Sequence, residues 1–130
     1  MNAIIKSGLL FLSLFLFSTV NAQTKTVKTR VEGNCGMCKD RIESVAKNVA
    51  GVKAATWGVD SKILKLTFDS KKTTLKEVLK KIAEAGHDNE AYRASDKVYN
   101  NFEVCCQYDR PNHDKRLPKA ANLNQVNELK

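Results

Sequence analysis

The stretch VEGNCGMCKDRIESV, Val31 to Val45, decides how this chain is read. It starts as the end of an alternating run and continues as a helix-like one, with Cys35 and Cys38 at the joint. Upstream, in TKTVKTRVEG, the residues Val27, Thr29 and Val31 share one face, the period of a half-buried strand. Downstream of Cys38, Ile42, Val45, Ala46 and Val49 recur at helical spacing, and Gly51 supplies a stop. The cysteine pair therefore sits on a strand-to-helix loop. There, two sulfurs can share one ion, cycle as a dithiol, or close a disulfide.

The rest of the chain builds outward from that joint. VKAATWGVD puts Ala55, Trp57 and Val59 on one side, DSK makes a short turn, and ILKLTFD points Leu64, Leu66 and Phe68 inward, as in a hairpin. Thr74 with Glu77 three residues on is a capping box, opening a second helix with a buried stripe of Leu75, Val78, Leu79, Ile82 and Ala83. Gly86 ends that helix, and NEAYRA reads as a short last strand. The order strand, helix, strand, strand, helix, strand predicts an α+β, ferredoxin-like βαββαβ sandwich: a four-stranded antiparallel sheet with two helices on one face. Past Ser95 the composition shifts to scattered apolar residues, both prolines and many asparagines. Val98, Tyr99, Phe102 and Val104 can pack a short arm onto the domain, and a flexible tail is expected after Tyr108.

The ends and the charge bound the setting. Residues 1–22 read as a cleavable signal peptide: Lys6, an apolar run from Leu9 to Phe17, then Val20 and Ala22 at positions −3 and −1 of a cut after Ala22. The apolar run is too short to span a bilayer, which takes about 20 residues. The expected organisation is thus leader (1–22), domain (23–95), and a Cys-Cys-containing arm and tail (96–130), in a periplasmic or secreted protein without stable membrane insertion. The net charge of +8 is spread over helices, turns and tail with no interleaved aromatic platform, so nucleic acid is not an expected partner. There is no nucleophile–base set and no phosphate loop, so hydrolase and transferase chemistry is not expected.

All four cysteines follow the leader, and in an oxidising compartment they could pair in three ways. For metal binding, thiolate is the ligand, and a helix N-terminus with Lys39 and Arg41 nearby favours the anion. Two soft sulfurs without a set of histidines or carboxylates suit Cu(I) first and Hg(II) next, whereas structural Zn(II) wants four ligands. Cys105 and Cys106 are adjacent, a geometry that rarely bonds to itself. They can form disulfides with Cys35 and Cys38, complete a three- or four-sulfur site that tilts preference toward zinc or a small copper cluster, or stand by as free thiols. His113 lies in a polar stretch and reads as solvated, while Trp57 and Tyr92 fit core or edge packing.

The segment GNCGMC opening a helix, within this six-element order, resembles the heavy-metal-associated domain of copper chaperones and metal-transporting ATPases. The resemblance runs from Thr24 to about Ser95. It implies a non-enzymatic carrier in which Cys35 and Cys38 hold Cu(I) nearly linearly and pass it by ligand exchange to a metal-transporting ATPase or another metal-accepting protein. It further implies a monomer, or a metal-bridged dimer. That family usually has a methionine two residues before the first cysteine; here Gly33 stands there, and Met37 lies between the cysteines. The loop after the second helix faces the metal in that family, which makes His87 an accessory donor or a pH-sensitive gate. A Cys-Cys pair after the fold resembles the accessory ligands of similar short extracytoplasmic domains. Mercury capture is the neighbouring alternative. A thiol–disulfide oxidoreductase would use the same pair, but the element order is not thioredoxin-like and no proline lies near the end of the fold. A disulfide-stapled structural protein would need all four cysteines oxidised.

Overall fold

The computed structural model describes residues 23–110. The expected leader, the tail beyond Arg110, His113 and both prolines lie outside the described residues. Strand β1 (Thr24–Arg30) leads through the cysteine loop into helix α1 (Gly36–Lys47). Strands β2 (Val52–Trp57) and β3 (Ile63–Asp69) form the expected hairpin, and helix α2 (Leu75–Glu84) follows. The sheet order is β1-β3-β2, antiparallel throughout, with Val27 opposite Leu66 and Trp57 opposite Leu64. The hairpin turn closes with Lys62 at φ 59°.

Alternation in the strands and helical spacing in α1 and α2 put their apolar residues into one core. Val31, Ile42, Ala46, Ala55, Trp57, Leu64, Leu66, Val78 and Ile82 are all essentially solvent-free there. The capping box of α2 forms as expected: the Thr74 hydroxyl accepts from the Glu77 N–H, and the Glu77 carboxylate accepts from the Thr74 N–H.

The sheet has three strands, not four. NEAYRA contributes a single bridge, Asn89 to Val31, beside a Glu32 N–H to Asp88 carbonyl bond of 2.8 Å. The cause is local. The Asn89 side chain accepts from the N–H groups of both Ala91 and Tyr92, and the Asn89 N–H bonds back to the Tyr92 carbonyl. Those groups are spent on a turn, so the segment curls where a ladder would need it extended.

Past Ser95 the described residues run to Arg110. Ser95 caps a short helix, α3 (Asp96–Asn100), and a 3₁₀ turn follows over Val104–Cys106. Phe102 packs against the core and Cys106 belongs to it, while Val104 faces solvent at 86% exposure. Among the described residues no helix is long and apolar enough to cross a membrane.

Candidate metal centre

The loop between β1 and α1 is set by Trp57. Its indole N–H donates to the Val31 carbonyl at 3.0 Å, and its ring lies directly under Gly33. A Cβ on Gly33 would stand 3.0 Å from both the Cys38 Cβ and the Trp57 ring, so the indole fills the space beneath the loop and glycine lets it. The Lys62 ammonium donates to the Gly33 carbonyl. Cys35 is the N-cap of α1 and Cys38 lies one turn in, which aims both sulfurs at the same point, 3.5 Å apart.

The second pair arrives from 70 residues away. Cys105 Sγ lies 3.6 Å and Cys106 Sγ 3.5 Å from Cys35 Sγ, with 3.9 Å between the two. Cys35, Cys105 and Cys106 form a group whose sulfurs all lie within 4.8 Å of one another; Cys38 and His87 fall outside it. All four cysteines are free thiols. Their exposure is graded: Cys38 and Cys106 are fully buried, Cys35 is half-buried, and Cys105 is open to solvent. Met37 joins from the first turn of α1, its Sδ accepting from the Cys105 thiol at 3.8 Å.

The four thiols differ in acidity. Burial raises Cys35, but the Cys38 N–H and the neighbouring thiols outweigh it, so Cys35 falls to about 7. Burial pushes Cys38 up to about 11 and also raises Cys106. Cys105 is raised chiefly by its contact with Cys35. Cys35 is thus the first thiolate of the set, surrounded by thiols that share their protons with it.

The arm that carries Cys105 and Cys106 is held by contacts no motif announces. Asp88, buried at 1% exposure, takes Arg110 in a two-point ion pair, Nε to Oδ2 at 2.8 Å and Nη2 to Oδ1 at 2.7 Å. The Tyr108 hydroxyl donates to the Gly86 carbonyl and accepts from the Asp88 N–H. Gly86 sits at φ 107° with the Phe102 ring where a Cβ would be, so glycine both ends α2 and admits the arm. Arg41 lies over Phe102 at 4.4 Å, pairs with Glu103 at 3.6 Å and favours the Cys106 thiolate. Residue spacing gives no sign of these ion pairs and hydrogen bonds; the apolar character of Phe102 in the arm is the signal the sequence offers.

His87 is fully buried under this arm, between the rings of Phe102 and Tyr108. Its Nδ1 faces the Glu32 carbonyl at 2.9 Å, which places the proton there and leaves Nε2 as a lone pair with no hydrogen-bond partner among the described residues. Burial first, and the nearby Arg41 charge next, lower its pKa to about 4 against the pull of the Glu32 carbonyl and Asp88. The ring is therefore neutral throughout pH 6–8 and does not titrate across that range. Unfolded, it would titrate near its ordinary 6.5, so below that pH the unfolded chain binds the extra proton and the fold loses stability toward pH 4. From these two values the loss at pH 5 is about 2 kcal/mol. Melting the wild type and His87→Gln at pH 7 and pH 5 checks it: the variant should lose markedly less on acidification.

Residues 29–88 match the heavy-metal-associated domain. The chain is 33% identical over 82 residues to the mercuric transport protein periplasmic component of Shewanella putrefaciens, covering 61% of this chain and 90% of that one. Its fold superposes on a candidate copper-ion-binding protein from Bacillus anthracis str. Ames with a TM-score of 0.51 at 30% identity, over 52% of this chain and 97% of that one. The water-soluble region of the P-type ATPase CopA from Bacillus subtilis shares the fold at a TM-score of 0.50 and 24% identity, over 55% of this chain and 48% of that one. A relative matched over nine-tenths of its length, and a family span that takes in the cysteine loop and both helices, lead to one conclusion: the chain belongs to the heavy-metal-associated domain family.

Proposed function

We propose that the chain is an exported Cu(I) carrier that holds the ion among Cys35, Cys38, Cys105 and Cys106 and passes it on by thiolate exchange. The observation that carries this reading is the approach of Cys105 and Cys106 to within 3.6 and 3.5 Å of Cys35. An ion about 2.3 Å from each sulfur needs sulfurs about 4.6 Å apart in a linear site, about 4.0 Å in a trigonal one and about 3.8 Å in a tetrahedral one. The spacings of 3.5 to 3.9 Å favour more than two sulfurs over the linear pair that the family resemblance implies. Soft sulfur throughout favours Cu(I) over hard cations, whereas Zn(II) would need Cys38 to close on the other three as a fourth thiolate.

Export is supported by the leader-like residues 1–22 and by the periplasmic relative. The division into leader, domain over 23–95 and cysteine-bearing arm over 96–130 is part of the same proposal. The acceptor is a metal-transporting ATPase or another protein with a soft-ligand site, and the carrier acts as a monomer. A second reading, Hg(II) capture, is favoured by the name of the Shewanella relative. The oxidoreductase reading is not favoured.

The test is titration of the reduced chain with Cu(I) against a chromophoric chelator, with Hg(II) and Zn(II) in parallel and reactive thiols counted at each step. One Cu(I) should protect all four thiols. Two thiols left reactive at saturation would reduce the site to the loop pair. Hg(II) outcompeted by the chelator while Cu(I) is retained would remove the mercury reading.

A further inference from the structure

Met37 is the one large apolar side chain of α1 turned outward, 47% exposed, and its thioether accepts from the Cys105 thiol at 3.8 Å. Around Met37 the sulfurs are sorted by depth: Met37 and Cys105 outside, Cys35 between, Cys38 and Cys106 sealed from solvent. An incoming carrier cannot reach an ion bound only by the sealed pair. It can reach one held at the surface.

We propose that Met37 is a fifth sulfur ligand, forming with Cys105 an outer landing pair through which the soft ion enters and leaves the four-cysteine site. The proposal rests on that site and adds the route into it. Each step is a ligand substitution with no change in oxidation state. A bond from the ion to Met37 Sδ forms as one to the donor's sulfur breaks; then an inner cysteine thiol loses its proton to water and its thiolate exchanges reversibly with the thioether for the ion, so that Met37 is revisited while the ion is bound. A neutral thioether suits this role, because it binds soft ions without a proton to lose and more weakly than thiolate. It also gives Cu(I) and Ag(I) a route that Zn(II) does not share.

The experiment uses the full reduced chain labelled with methyl-¹³C methionine and titrated with Ag(I), a redox-inert stand-in for Cu(I). Met37→Leu assigns the resonance. One substoichiometric addition of Ag(I) should shift or broaden the Met37 methyl, whereas Zn(II) should leave it in place. In stopped-flow transfer of Cu(I) to a thiol chelator, Met37→Leu should slow exchange by about tenfold. An unmoved methyl, or a Met37→Leu chain that transfers at the wild-type rate, overturns the landing pair and leaves the cysteine site standing. Failure of the wild type to take up any Ag(I) overturns the cysteine site itself, and the landing pair with it.

Discussion

Replacing Cys105 and Cys106 together with serine is expected to lower Zn(II) affinity by about four orders of magnitude or more. Binding free energies of structural zinc sites run to about 10–16 kcal/mol over four ligands, so each thiolate contributes about 3 kcal/mol and two account for about 6. Cu(I) should suffer less, because two remaining thiolates still satisfy it; a loss of about a hundredfold, the worth of one ligand, is expected. Cys35→Ser is the matched control. Its sulfur touches all three others, at 3.5 to 3.6 Å, so a single change there should cost at least as much for Cu(I) as the double change in the arm. Competition titrations of the three chains give the answer. Equal Cu(I) affinity in the wild type and the arm variant would sink the four-sulfur site and return the chain to a two-cysteine loop.

Arg110→Ala is expected to destabilise the fold by about 3–5 kcal/mol, the usual cost of breaking a buried ion pair from one side. The Arg110 side chain is 8% exposed and that of Asp88 2%. Without the guanidinium, the Asp88 carboxylate keeps the Ala94 N–H at 2.7 Å among the described residues and stays out of water as an uncompensated charge. The guanidinium also donates to the Ala94 carbonyl, pairs with Asp96 at 2.8 Å and lies 4.4 Å from the Tyr99 ring. For a domain of this size such a loss lowers the melting midpoint by more than about 10 °C. Because the pair pins the arm just past Cys106, the same variant should expose that buried thiol to a disulfide reagent. Adding Asp88→Asn should restore part of the stability, since it removes the stranded charge. An Arg110→Ala chain that melts like wild type, with Cys106 still protected, would rule out this anchor.

The sequence alone determined the elements and the loop pair. Alternation in β1, β2 and β3, helical spacing in α1 and the Thr74–Glu77 box are local signals, each readable within a few residues because each reports one element's own period or cap. The same holds for Cys35 and Cys38, whose separation by one helical turn fixes their meeting. The last strand failed because the Asn89 side chain competes for the very N–H groups a ladder would use, a contest between two local options that pattern alone does not weigh. What only the tertiary structure decided was where the arm goes. Cys105 and Cys106 reach the loop because Asp88, Gly86, Phe102, Tyr108 and Arg110 lock together across some twenty residues. Trp57 likewise supports the loop from a strand 24 residues past Gly33. Neither partnership has a period or a motif, because each depends on shape and charge meeting in space, and those are set only when the core has formed.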